Sequence, residues 1–300
     1  MKKQSNFLAY IFLLLTVTFW AGNFVVGKFA SMYEVPPFSL NFYRWFFAWL
    51  ILAPFTIPEI IKKKDYIIRN YKLFIVLGVT SITIFNSIVY YSLNFTQVIS
   101  GVLMISTIPV MIMFFSSILK IEKTNIFQVI GVVLSFLGVI IIITKANFEI
   151  LKNLNFNKGD ITMVIAMLSW ALYSTLLKKQ KYEISQLSLL QVVMSFGLIF
   201  LIPIYFIEYQ LGFRITLEKP FILILSYVVL LPGLASFILW IKGISIIGAN
   251  RSGVFLHLMP IMSAIMAMII FNEKFMFYHM LGACFIISGI LLSNKKVLNA

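Results

Sequence analysis

Three hundred residues would ordinarily make about two soluble domains, but 61% of these are hydrophobic and only 11% charged; soluble chains carry roughly 25% charged residues, so the surface of this one must face lipid. The net charge of +14 comes from basic residues scattered in ones and twos between apolar runs, which excludes a nucleic-acid surface and reads as a membrane-topology signal. One cysteine, Cys284, and two separated histidines exclude an intrachain disulfide and a zinc cluster.

Charges bound the spans, and about 20 residues of helix cross the hydrocarbon core. The first span is the 24 uncharged residues between Lys3 and Lys28. It is longer than the apolar core of a signal peptide and is read as an uncleaved helix. Along it Thr16, Trp20, Asn23 and Gly27 share one stripe by helical spacing. The second span, between Glu34 and Glu59, is broken only by Arg44. Arg44 is expected to anchor this helix or meet a loop carbonyl, ahead of a substrate carboxylate, and Trp45 and Trp49 are assigned to the interfacial aromatic belt. The 47 residues between Lys72 and Lys120 hold the third and fourth spans, with a turn near 94–97. Thr83, Asn86 and Tyr90 align in the third; Gln97, Ser100, Met104 and Thr107 align in the fourth, ahead of Pro109. The fifth span covers 124–144. The sixth, 161–177, is the marginal one, with 17 residues between charges, and it carries Trp170 and Tyr173. The seventh covers 184–207, and the eighth, 220–241, carries Ser236 and Trp240. In the ninth, 252–272, the stripe Asn250, Gly253, His257 and Pro260 begins just ahead of the span. The tenth covers 275–294, with Tyr278 assigned to the belt. Runs this continuous lack the period-2 alternation of barrel strands. The expected fold is all-α, with ten transmembrane helices.

With the N-terminus placed in the cytoplasm, 16 of the 24 basic residues fall inside and 7 outside, a bias that puts both termini in the cytoplasm. The chain also repeats itself. At a shift of 151, Pro109, Glu122, Lys123, Gly131 and Gly138 fall on Pro260, Glu273, Lys274, Gly282 and Gly289, and at a shift of 150 Trp20-Ala21 falls on Trp170-Ala171. Two five-helix units are expected, 1–147 and 148–300. Five is odd, so the second unit is inserted upside down. Inverted repeats around a midplane cavity are the architecture of secondary transporters.

The segment Phe19-Trp20-Ala21-Gly22-Asn23 resembles the first-helix motif of the EamA family of the drug/metabolite transporter superfamily. The run from Ser245 to Pro260, followed by Asn272-Glu273, resembles its ninth-helix signature, with a weaker copy at 97–109 and Glu122. The chain departs from the family at Ile99–Gly101, where relatives carry Ala-rich small residues. The resemblance covers essentially the whole chain. It implies ten helices in two repeats, a central cavity lined by helices 1, 3, 4, 6, 8 and 9, and export of amino acids and other small metabolites; relatives carry nucleotide sugars, choline or purines.

Polar groups in a bilayer are costly unless they face other helices or a cavity. The residues expected to line a substrate site are Trp20, Asn23, Asn86, Tyr90, Trp170, Tyr173, Trp240 and Asn250, with Pro109 and Pro260 as helix kinks. His257 is either a neutral imidazole hydrogen-bonded between helices or a titrating group that couples protons. All ten acidic residues lie in loops or at span ends, so coupling rests on His257 or transport is facilitated diffusion. Glu122 and Glu273 are read as anchors for turns. The expected function is alternating-access export of amino-acid-like or other small metabolites across the inner membrane. Alternatives are uptake or exchange of choline-like or nucleotide-type solutes, a channel, or an intramembrane enzyme, for which no nucleophile–base pair is in view. No cofactor and no metal are expected. The partners are a small-molecule substrate and the bilayer, without nucleic acid, and a homodimer is left open.

Overall fold

The computed structural model describes residues 2–96, 98–147, 149–152, 157–271, 274 and 276–295. Every expected span is a helix, and no strand occurs among the described residues. The first three run Lys2–Met32, Pro37–Lys62 and Tyr71–Ser92. The fourth is in two pieces, Val98–Ile105 and Ile108–Ile118, and the fifth is Ile126–Ile143. The sixth to eighth are Lys158–Leu176, Gln186–Gln210 and Lys219–Ile247. The ninth is built from Ala249–Gly253, the 3-10 turn Val254–Leu258 and Met259–Phe271; the tenth is Phe277–Ser293. Among the described residues, seven helices are at once long and apolar enough to cross a membrane. Side chains such as Phe55, Ile269 and Leu291 stand exposed on the outside, as a lipid-facing surface requires.

The sixth helix shows why charge counting made it short. Asn157 accepts from the backbone N–H of Gly159 and Asp160, and Asp160 accepts in return from the N–H of Asn157. This reciprocal cap brings Asp160 inside the first turn and lengthens the helix to 19 residues. The fourth and ninth helices are interrupted just ahead of Pro109 and Pro260, since proline removes a helical donor and crowds the preceding turn.

The two halves pack head to tail. In the fifth and tenth helices, Gly131 lies against Gly289 while Gly138 lies against Gly282. The order reverses, so the helices are antiparallel and related by a two-fold operation. A Cβ on Gly131 would come within 2.5 Å of the Gly289 carbonyl oxygen, so only small residues allow this approach. The second and seventh helices are tied at both ends. Glu59 accepts from the N–H of Ser185 and from the hydroxyls of Ser185 and Ser188; Glu208 accepts from the N–H groups of Phe38 and Ser39 and from the Ser39 hydroxyl. Each carboxylate caps the start of the other's helix, where free N–H groups favour negative charge. The third and eighth helices both widen into a π-turn, Val79–Phe85 and Val229–Ala235, segments 150 residues apart.

Candidate functional site

The first, second, third, fourth, sixth and ninth helices converge on a cavity lined by Trp20, Asn23, Phe24, Arg44, Asn86 and Trp170, with Ile105, Ile108, Leu256 and Met259 among its apolar walls. Its volume is about 20 Å³, room for about one water molecule. The conformation is therefore closed around the site.

Arg44 is the chemical centre. It is 1% exposed, although a guanidinium stays protonated in proteins and burying it costs several kcal/mol before compensation. One terminal nitrogen, Nη1, donates to Asn86 Oδ1 and to the Tyr90 hydroxyl, both at 2.8 Å; Nη2 donates to the Pro232 carbonyl at 3.0 Å. The charge also lies 4.8 Å from the Trp45 ring centroid, a favourable cation–π distance. The Tyr90 hydroxyl in turn donates a hydrogen bond to Asn23 Oδ1 at 3.0 Å, and Asn86 Nδ2 donates to the Ser81 carbonyl at 2.7 Å. Asn23, Asn86 and Tyr90 thus form one network around Arg44. Among the described residues no carboxylate pairs with it.

Trp20 and Trp170 of this lining belong to an aromatic cluster that extends behind the cavity to Tyr173 and Trp240. Trp20 meets Trp170, its counterpart in the second half, edge to face with ring centroids 5.0 Å apart, an arrangement that ring quadrupoles favour. Trp240 lies 5.3 Å from Trp20 and 5.9 Å from Trp170, and Tyr173 lies 5.0 Å from Trp170. Trp20 Nε1 donates to the same Pro232 carbonyl that Arg44 uses, at 3.1 Å. Trp240 Nε1 donates to Ser174 Oγ at 3.2 Å, whereas the buried Trp170 Nε1 and Tyr173 hydroxyl have no hydrogen-bond partner among the described residues.

Asn250 is not part of this cluster. It is buried at the start of the ninth helix, where its N–H donates to Glu122 at 2.9 Å and its Nδ2 to Thr124 Oγ1 at 3.3 Å. Glu122 also accepts from the N–H of Ala249, and Gly248, with φ of +90°, lies against the carboxylate where a Cβ would collide. Glu273 lies outside the described residues. His257 is fully buried, with Nδ1 2.5 Å from Ser135 Oγ and Nε2 2.8 Å from the Ser106 carbonyl. It ties the fourth, fifth and ninth helices through neutral partners.

Two expectations from sequence are corrected. Trp45 is not in the interfacial belt; it is fully buried, 4.7 Å from Phe237. Arg44 was expected to anchor the second helix or meet a loop carbonyl; the carbonyl it meets, that of Pro232, is mid-helix, and its other partners are two polar side chains. The signal for both was present. Asn41, Arg44, Trp45, Ala48 and Leu52 belong to the buried face of the second helix, and their i, i+3 and i, i+4 spacings mark an inward face. Trp49 is half-buried and donates to Ser195 Oγ at 2.8 Å, bridging to the seventh helix.

The sequence model of the EamA-like transporter family matches twice, over residues 7–144 and 157–295. An uncharacterized transporter of Archaeoglobus fulgidus is 26% identical over 296 residues, spanning 97% of this chain and 99% of its own. The uncharacterized transporter YyaM of Bacillus subtilis is 24% identical, spanning 96% of this chain and 94% of its own. A solved crystal structure superposes with a TM-score of 0.71 over 97% of this chain and 96% of its own at 14% identity, a likeness of fold.

Proposed function

The chain belongs to the EamA-like transporter family, and on that premise we propose that it is an alternating-access carrier exporting small metabolites, amino-acid-like compounds among them, across the inner membrane, with both termini cytoplasmic. The halves 1–147 and 148–300 are its two moving bodies. The observation that carries this reading is the position of the cavity. It lies where Trp20 of one half touches Trp170 of the other, between antiparallel repeats that offer near-equivalent routes to opposite faces. Its near closure suits an occluded intermediate of a carrier. The basic residues of the loops support the orientation.

The test is counterflow. Purified protein in liposomes preloaded with an unlabelled solute, chosen from a metabolite panel by thermal-shift binding, should draw in labelled solute with saturation and with stimulation by internal cargo. Flux that never saturates, accompanied by single-channel conductance, would replace the carrier with a channel.

A further inference from the structure

We infer that the cargo is a small organic acid bound as its carboxylate monoanion, with Arg44 as its countercharge; this rests on the carrier reading and narrows it. Arg44 lies in the cavity wall, 1% exposed, with neutral partners only. The buried carboxylates are engaged elsewhere: Asp160 with Thr96 and Asn157, Glu208 with Ser39. Of the five N–H donors of a guanidinium, three are used, and Nε is among those without an acceptor. Trp170 Nε1, on the same cavity, also lacks one. Donors are therefore in surplus around the cavity.

This arrangement selects by charge. A quaternary ammonium would meet Arg44 with no carboxylate to offset the repulsion. A zwitterion would satisfy Arg44 but leave its own ammonium unpaired. A monoanion makes the cavity neutral, and a planar carboxylate suits the fork of free N–H groups. Its apolar body would lie against Trp20 and Trp170. The Arg44–Pro232 hydrogen bond joins one half to the other. Parting the halves frees a further donor as the cavity opens, so the guanidinium becomes available to cargo when cargo can enter.

The experiment uses full-length protein and a probe series: acetate, benzoate, phenylacetate and indole-3-acetate, each with its amide, its quaternary ammonium analogue and, for phenylacetate, zwitterionic phenylalanine. Binding is read by thermal shift and by quenching of tryptophan fluorescence. At least one carboxylate should bind about tenfold or more tightly than its amide, as charged hydrogen bonds exceed neutral ones. The ammonium analogue should not compete. Arg44→Gln should erase the carboxylate-over-amide preference while Arg44→Lys retains part of it. The inference is overturned if no carboxylate binds, if the amide, the ammonium analogue or zwitterionic phenylalanine binds as tightly, or if folded Arg44→Gln keeps the preference. Should Arg44→Gln fail to insert, the charge series on wild-type protein decides alone. Saturable counterflow of a neutral or cationic solute would refute the anion and leave the carrier standing; absence of counterflow for every solute would remove the carrier itself.

Discussion

Arg44 and Trp45 are neighbours in sequence, and both ended at the centre of the molecule because their partners come from far along the chain. Arg44 bonds to Asn86, Tyr90 and Pro232, which lie 42, 46 and 188 residues away. Trp170 is packed on four other aromatic residues besides Trp20, so truncation to alanine would cost about 3–5 kcal/mol of stability and blur any effect on transport. Trp170→Phe keeps much of the ring surface and loses the unpartnered N–H. It should weaken cargo binding by about tenfold, equivalent to about 1.4 kcal/mol, at equal insertion. Trp49→Phe, which removes only the bond to Ser195, should leave binding unchanged and lower stability by about 1 kcal/mol. His257 has both nitrogens engaged by Ser135 and Ser106; the network assigns the proton to Nε2. His257→Gln is therefore expected to lower the melting temperature, through loss of a buried hydrogen bond costing about 1–3 kcal/mol. The pH profile of counterflow should stay unchanged across the range where an ordinary histidine titrates. A flattened profile would restore proton coupling through this residue.

Among the helices, the fifth–tenth pair depends on absence of side chains. Gly131→Val places two methyl groups where the Gly289 carbonyl already sits within 2.5 Å of the first added carbon. The cost should exceed the roughly 1–3 kcal/mol of ordinary overpacking, and it should show as loss of folded protein in detergent. The second–seventh pair depends on its two carboxylate caps. Glu59 and Glu208 occupy opposite ends of the pair, with no shared partner. Glu59→Gln and Glu208→Gln should each destabilise by about 0.5–2 kcal/mol, the range for a lost cap, and the double variant should show their sum, as distant sites do. Strong non-additivity in thermal unfolding would mean the ends communicate along the helices. The charge pattern had marked both glutamates only as limits of spans, because a cap is formed with the partner helix and is invisible within either segment.

For the whole molecule, inversion is the testable property. Cysteines replacing Lys123 and Lys274, both exposed, should react with impermeant thiol reagents from opposite faces of the membrane in a Cys284→Ala background. Labelling of both from one face would contradict the antiparallel packing of Gly131, Gly138, Gly282 and Gly289. Composition and spacing were enough to determine ten helices, since lipid leaves the backbone only helices or a closed barrel, continuous apolar runs exclude barrel strands, and span length is set by the bilayer. The repeated Trp20 and Trp170 pointed to the symmetry, and the stripes through Asn23, Asn86 and Tyr90 pointed inward, because helical periodicity is a local property. Tertiary structure alone decided what those stripes surround. It placed Asn250 at a helix end with Glu122 and joined His257 to the fourth and fifth helices through neutral partners. It brought a π-turn carbonyl at Pro232 to Arg44. These outcomes depend on which helices cross and at what depth, and that is fixed by contacts between residues far apart in the chain.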